Sequence, residues 1–520
     1  MNVEKEKSKS LWAGTEVAAA EPLRSKANAD VVVIGSGIAG LSVAYELAER
    51  GLKVIVLDRG NIGQGMTART TAHLAAGCDD GARELIKMRG EEDAKLFWQS
   101  QASAIDRIEE IVRQDRIECN FRRLDGYLFP DAKTKQSELD DELKAVKKIG
   151  LAAEKVKGIP LKGYDGVGCL RYRNQATFHP LRYLRGLAAT LIKRGGVLHS
   201  RTQVTEIEEK DKTVTVRTAS GGSVDANFAV VATNSPINDR FAIHTKMAPY
   251  RSYAMAFSIA KDALPDALYW DTMDPYHYVR QQVGPGLGNY LIVGGEDHKT
   301  GEANDAEARF DGLEAWIRNL VPALGEEVTR WSGQVLETAD YAAYSGVNPG
   351  NSNVYIHTGD SGQGMTHGAM AGLLMADLIT TGQSPWQALY EPSRMPMRSL
   401  TNFARENMTA VKNFAEYLAP GEISSYDDLQ KGEGGIVRDG LQKVAAYRDT
   451  NGKLHKYSAA CTHVGCHVHW NSFERCWDCP CHGSQFAADG TALNGPAVDA
   501  LAQTNSHETK EAESERADSG

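Results

Sequence analysis

The sequence predicts a Rossmann-like α/β domain of the GxGxxG type, interleaved with a mixed α+β domain and followed by a small all-β domain. Three observations carry this. Residues 30–58 run strand, glycine-rich turn, helix, strand; residues 81–335 pass from helical to strand periodicity; and Cys461–Phe486 holds five of the eight cysteines together with four histidines. A chain of 520 residues has room for two or three domains, and 42% apolar with 24% charged residues is ordinary globular composition. No run of 18 apolar residues exists, so no membrane span is expected. The opening MNVEKEKSKS lacks the apolar core of a secretory signal, which makes a cytoplasmic location the expectation. A net charge of −10 without a basic stripe argues against a nucleic-acid partner. Outside the cluster only Cys78, Cys119 and Cys169 remain, widely spaced, as suits a reducing compartment.

After a polar leader, 1–28, the stretch DVVVIGSGIAGLSVAYELAERGLKVIVLD forms a dinucleotide-binding βαβ unit. Gly35 permits the tight turn, Gly37 lets backbone approach a pyrophosphate at the helix N-terminus, and Gly40 lets helix and strand pack closely. Asp58, at the end of the second strand, would accept ribose hydroxyls. The turn residues Gly35, Ser36, Gly37, Ile38, Ala39 and Gly40, with Asp58 and Arg59, are therefore expected to hold a cofactor. The fingerprint alone does not separate FAD from NAD, because both carry an adenosine ribose and a pyrophosphate.

Two further stretches favour FAD. Gly63-Gln-Gly-Met-Thr-Ala-Arg-Thr-Thr-Ala-His73 resembles the flavin-contacting segment of the D-amino acid oxidase and glycine oxidase family, and NVYIHTGDSGQGMTHGAMAGLLMADLITTG, 353–382, resembles that family's second glycine-rich loop and helix. The resemblance implies FAD contacts at Arg69, Thr70, Thr71 and His73, at Thr233 on the strand-end turn, and at Gly359, Gly362, Gly364, Met365 and Thr366. A helix starting near Thr366 would bring partial positive charge beside the flavin ring. In some relatives a histidine in this region is joined covalently to the flavin, within a segment resembling His-Ala-Ala-Gly. Here His73-Leu-Ala-Ala-Gly77 carries one extra residue, and the alternative is a histidine that packs beside the ring.

The resemblance also implies two interleaved domains: an FAD-binding domain from 29–80, 170–245 and 336–385, and a substrate domain from 81–169 and 246–335. In Pro275-Tyr-His-Tyr-Val-Arg280, period-two alternation places Tyr276, Tyr278 and Arg280 on one face. Two phenols and a guanidinium would suit a substrate carboxylate; the competing reading is a solvated strand face. Arg251, Tyr253 and Tyr344 are further candidates. Residues 386–430 read as a helical linker.

The all-β domain is expected over 431–505, with Lys443–Arg448 and LHKYS forming a hairpin about Asn451-Gly452. Cys461-x-His463 and Cys479-x-x-His482 supply two thiolates and two imidazoles, a set that suits zinc or a 2Fe-2S cluster. The flanking residues, CTHVGC from Cys461 and CPCHGS from Cys479, resemble both boxes of the Rieske family, which implies a Rieske 2Fe-2S cluster on Cys461, His463, Cys479 and His482. It also implies a disulfide between Cys466 and Cys481. Asn494-Gly-Pro-Ala497 resembles the family's proline loop, and Phe486 stands where respiratory relatives carry tyrosine while Ser484 is kept. The acidic end, 506–520, reads as disordered.

Together these resemblances imply an FAD-dependent dehydrogenase of an amine or amino acid, passing electrons singly through the cluster to an external one-electron acceptor. The alternatives are an NAD(P)H- or partner-driven reductase and a non-enzymatic redox-sensing protein.

Overall fold

The computed structural model describes residues 5–238, 243–284, 288–395 and 420–504. Most of the expected linker, 396–419, and the tail beyond 504 lie outside the described residues. Among the described residues no helix is long and apolar enough to cross a membrane.

The first sheet runs, strand by strand, Tyr344–Val347, Val354–Thr358, Ser223–Val231, Lys26–Ile34, Val54–Leu57, Val197–His199, with a hairpin of Val204–Lys210 and Thr213–Thr218 on one side of it. The strands from Val354–Thr358 to Val197–His199 are mutually parallel. Toward their carboxyl ends the central ones are apolar without alternation, as in VVVI at the end of Lys26–Ile34 and VIVL of Val54–Leu57, because helices or loops cover both faces. The helix Ile38–Glu49 follows the first strand, and the helix Gly364–Thr381 lies beside it. Close packing needs small residues there: a Cβ on Gly368 would sit 2.7 Å from Ile38 Cγ2, and one on Gly372 2.9 Å from Ser42 Cβ.

The second sheet has nine strands, ordered Leu324–Thr338, Met247–Ile259, Tyr290–Lys299, His277–Gln282, Leu268–Asp271, Arg122–Phe129, Gly168–Thr177 and His73–Leu74, with Ala153–Lys157 on the side of Gly168–Thr177. Helix Ala306–Leu320 buries Phe310, Leu313 and Ile317 against one face. Membership shifts the expected boundaries. Residues 170–177 and 73–74, expected in the FAD-binding part, pair in this second sheet. Gly168–Thr177 pairs on one side with Arg122–Phe129, some 45 residues upstream, and on the other with His73–Leu74, about 100 residues upstream, and local pattern does not disclose such pairing. Strand Leu324–Thr338 likewise passes 335.

The leader does not stand apart from the fold. Glu6, Ser8, Ser10 and Trp12 are buried, and their segment threads between the terminal domain and the loop at Met66–Arg69. Ser10 Oγ donates to Ala68 O and Trp12 Nε1 to Thr70 O, while Ser8 N donates to Glu474 Oε2.

The terminal domain stacks a three-stranded sheet, Gly434–Asp439, Gln442–Arg448 and Leu454–Ser458, with a four-stranded one, His469–Asn471, Cys476–Asp478, Gln485–Ala487 and Ala492–Asn494. The hairpin around Asn451-Gly452 is present, and Gly452 takes the left-handed conformation that its turn requires.

Candidate active site and cluster loops

A cavity of about 890 Å³ lies between the carboxyl ends of the parallel strands and the second sheet. Its construction explains the glycines. A Cβ on Gly35 would meet Ala232 O at 2.3 Å, and one on Gly40 would meet Gly35 O at 1.9 Å, so only glycine lets turn, strand and helix close up. Gly37, Ile38 and Ala39 at the start of one helix, and Gly364, Met365 and Thr366 at the start of the other, line the same space. Two helix N-termini thus present partial positive charge to one cavity. Thr67 Oγ1 takes the Ile38 N–H at 3.0 Å.

Ser36, Asp58, Arg69, Thr70, Thr71, His73, Thr233 and Gly362 also lie on the wall. Asp58 braces the turn: Oδ2 accepts the Ser36 N–H at 2.8 Å and the Ser36 hydroxyl, and Oδ1 accepts the Gly60 N–H. Gly40 and Gly359 are off the wall and act through the backbone; a Cβ on Gly359 would meet Thr338 Cγ2 at 2.5 Å. Arg59 is also off the wall, because its guanidinium is drawn to the Leu493 carbonyl of the terminal domain. His73 packs edge-on to Tyr278, its Nδ1 against Thr71 Oγ1, and burial lowers its pKa to about 3, so the imidazole is neutral.

Of the three expected substrate residues, Tyr276 and Tyr278 face the cavity and Arg280 does not. Arg280 is fully buried, with Gln282 Oε1 at 2.8 Å and the Trp12 ring at 5.5 Å. The alternation set the face correctly, but the leader's Trp12 closes over the strand before Arg280 is reached. Arg251 is likewise taken: both Asp478 carboxylate oxygens and Ser332 Oγ bind it. Tyr253 bonds His298, and Tyr344 lies under the Arg394 guanidinium. None of these three lines the cavity.

Sequence reasoning missed several wall residues. Asp79 accepts the Tyr276 hydroxyl at 2.8 Å and the Gln363 amide at 3.3 Å. Asp80, Asp297 and Gln334 are also on the wall. The Cys78-Asp79-Asp80 run directly after the His73 segment was the one visible signal.

The two cluster loops fold alike. Cys461 N donates to Cys466 O and Cys479 N to Ser484 O, both at 2.8 Å, while Gly465 and Gly483 N–H groups return to Cys461 and Cys479 O. Cys466 and Cys481 are joined by a disulfide that ties one loop to the other. The donors assemble as pairs. The Cys461 thiol is held below its ordinary value, first by hydrogen bonding with Cys479, and the rings of His463 and His482 lie 5.0 Å apart. Two thiols together and two imidazoles together suit a two-iron centre with one pair on each iron. His482 Nδ1 is buried with no hydrogen-bond partner, and burial, then His463 and His244, keep the ring neutral, as a ligand must be.

These loops turn inward. The buried His244 ring packs 5.2 Å from His463 and 6.0 Å from His482, and its neighbours Thr245, Lys246 and Met247 line the cavity. Gln334, also on the wall, donates from Nε2 to the carbonyl of Gly483 at 2.8 Å.

The family model for FAD dependent oxidoreductases matches residues 30–378. The chain belongs to that family. A Rieske 2Fe-2S domain matches 421–505, so this FAD-dependent oxidoreductase has an iron–sulfur domain at its C-terminal end. It is 29% identical over 506 residues to the Rieske 2Fe-2S iron–sulfur protein YhfW of Bacillus subtilis, covering 96% of this chain and 98% of the relative. To the gamma-glutamylputrescine oxidoreductase of Escherichia coli it is 25% identical, over 69% of this chain and 85% of that one. The fold is that of glycine oxidase from Geobacillus kaustophilus, with a TM-score of 0.59 and 18% identity over 71% of this chain and 99% of that one.

The oxidoreductase's cofactors are FAD and a Rieske 2Fe-2S cluster, and the donors fit both. The glycine turns and helix starts leave room for a dinucleotide, and the paired thiols and imidazoles supply a full ligand set. The fully buried Phe486 has no hydroxyl to offer the cluster sulfurs. Phe486→Tyr is expected to raise the cluster potential by about 40 mV, the one-electron equivalent of one hydrogen bond of about 1 kcal/mol. A redox titration of the variant against the parent protein checks this.

Proposed function

We propose that this oxidoreductase dehydrogenates a C–N bond of an amine or amino acid and sends the electrons, one at a time, through the cluster to an external one-electron acceptor. Bound FAD would supply a two-electron acceptor and the Rieske centre a one-electron relay. The chain's own part is to hold the amine against the second sheet, with Tyr276 and Tyr278 on the wall and Asp79 or Asp297 able to take the ammonium proton, leaving the neutral amine that hydride loss requires.

The observation that carries this reading is Gln334. One side chain touches the cavity and the carbonyl next to cluster ligand His482, a short covalent and hydrogen-bonded path between the two cofactor sites. An NAD(P)H-driven reductase would call for a second nucleotide-binding turn. Gly294-Gly295 and Gly434-Gly435 lie instead inside antiparallel strands, Tyr290–Lys299 and Gly434–Asp439.

The test is a screen of amines and amino acids with ferricenium as acceptor, and in parallel with O₂ alone. Sustained turnover with ferricenium and little hydrogen peroxide from O₂ is the expected pattern. Full-rate peroxide formation that ferricenium does not increase would count against the cluster route.

A further inference from the structure

Resting on the reading of this cavity as the amine site, we propose that the substrate is a cationic amine with no carboxylate on the reacting carbon, its charge held by Asp79 and Asp297 among the rings of Tyr276 and Tyr278. Among the described residues no buried cation on the wall is open to a carboxylate. Arg69 is shared between Glu6 and Glu474; Arg83 leans on Glu84 at the half-exposed rim; the Lys246 ammonium donates to the carbonyls of Pro392 and Arg394. Arg280 and Arg251, which a carboxylate would have needed, are buried elsewhere.

The acids tell the opposite story. Asp79, Asp80 and Asp297 lie on one wall, and among the described residues none of them forms an ion pair. Burial pushes Asp79 up, and it pushes Asp80 and Asp297 each to about 7, with the charge on Asp79 adding to both. His277 and Arg309 lower Asp297 in part, but neither forms an ion pair with it; carboxyl groups gathered this way are stabilised by an incoming ammonium.

A second observation points to a donor ligand. Gln363 is nine-tenths buried on the wall, gives its amide N–H to Asp79, and leaves Oε1 with no partner. Asp297 Oδ1 is also buried without one. Both are acceptors, as an ammonium requires. Tyr276 and Tyr278, 5.5 Å apart, add the ring faces that attract cations.

The experiment is calorimetric titration of the full-length, FAD-loaded protein with 1,4-diaminobutane and with 4-aminobutanoate and glycine, carried out apart from turnover. The diamine is expected to bind at least about tenfold more tightly than either carboxylate. Asp79→Asn is expected to weaken the diamine by about tenfold or more with FAD content unchanged, and Asp297→Asn serves if Asp79→Asn loses FAD. Equal or tighter binding of a carboxylate, no binding of the diamine, or unchanged affinity in both variants overturns the proposal. Tight diamine binding without any flavin bleaching would leave it standing and refute the oxidation instead.

Discussion

Arg251→Ala is expected to destabilise the chain by about 3–5 kcal/mol, the cost of leaving a buried carboxylate without its cation. Arg251 comes from the second sheet and holds both oxygens of Asp478, the residue before Cys479, at 2.9 Å. Asn471 and Gln485 also donate to Asp478, and Arg251 donates to Ser332 Oγ. The pair is fully buried, so solvent does not screen it. Thermal unfolding should show the terminal domain melting first in Arg251→Ala. The double variant Arg251→Met with Asp478→Leu should lose less than Arg251→Ala alone, because it leaves no orphaned charge. Equal losses in both would mean that packing, and not the ion pair, seats the cluster domain.

Glu6→Gln is expected to remove a pH dependence of about 3 kcal/mol. Glu6 and Glu474 share Arg69, at 2.7 and 3.0 Å. Although burial alone would raise it, Glu474 is held low by Arg69, Arg251 and the hydroxyls of Ser332 and Ser8. Burial raises Glu6 from 4.5 to about 7, and Arg69 only partly offsets it. Folded Glu6 therefore keeps a proton that the unfolded chain has already released above pH 4.5. Its contribution is complete below pH 4.5, falls as pH rises toward 7, and is gone above that. Melting temperature measured from pH 5 to 8 should decline in the parent protein and decline less in Glu6→Gln. A parallel decline in both would exclude Glu6 as the source.

Local chemistry was legible and long-range pairing was not. Gly35 and Gly40 could be read because backbone atoms 2 Å away forbid any side chain. The cysteine and histidine boxes could be read because ligand spacing within a loop is local. Tyr276 and Tyr278 followed from strand alternation. Arg280 did not, since Trp12, 268 positions earlier, closes over it. The Arg251–Asp478 pair joins residues 227 apart, and nothing in either neighbourhood announces the other. Asp79 stood in plain view, but its meaning depends on Tyr276 and Gln363 arriving from the start of a distant strand and the start of a distant helix.

Electrons taken from the amine are expected to reach the cluster inside one chain. Anaerobic addition of a reactive amine, followed at flavin absorbance and by the electron paramagnetic resonance of the reduced cluster, tests it directly. Flavin bleaching accompanied by growth of the cluster signal, in the absence of any partner protein, is the expected result. A flavin that bleaches fully while the cluster stays oxidised would contradict it.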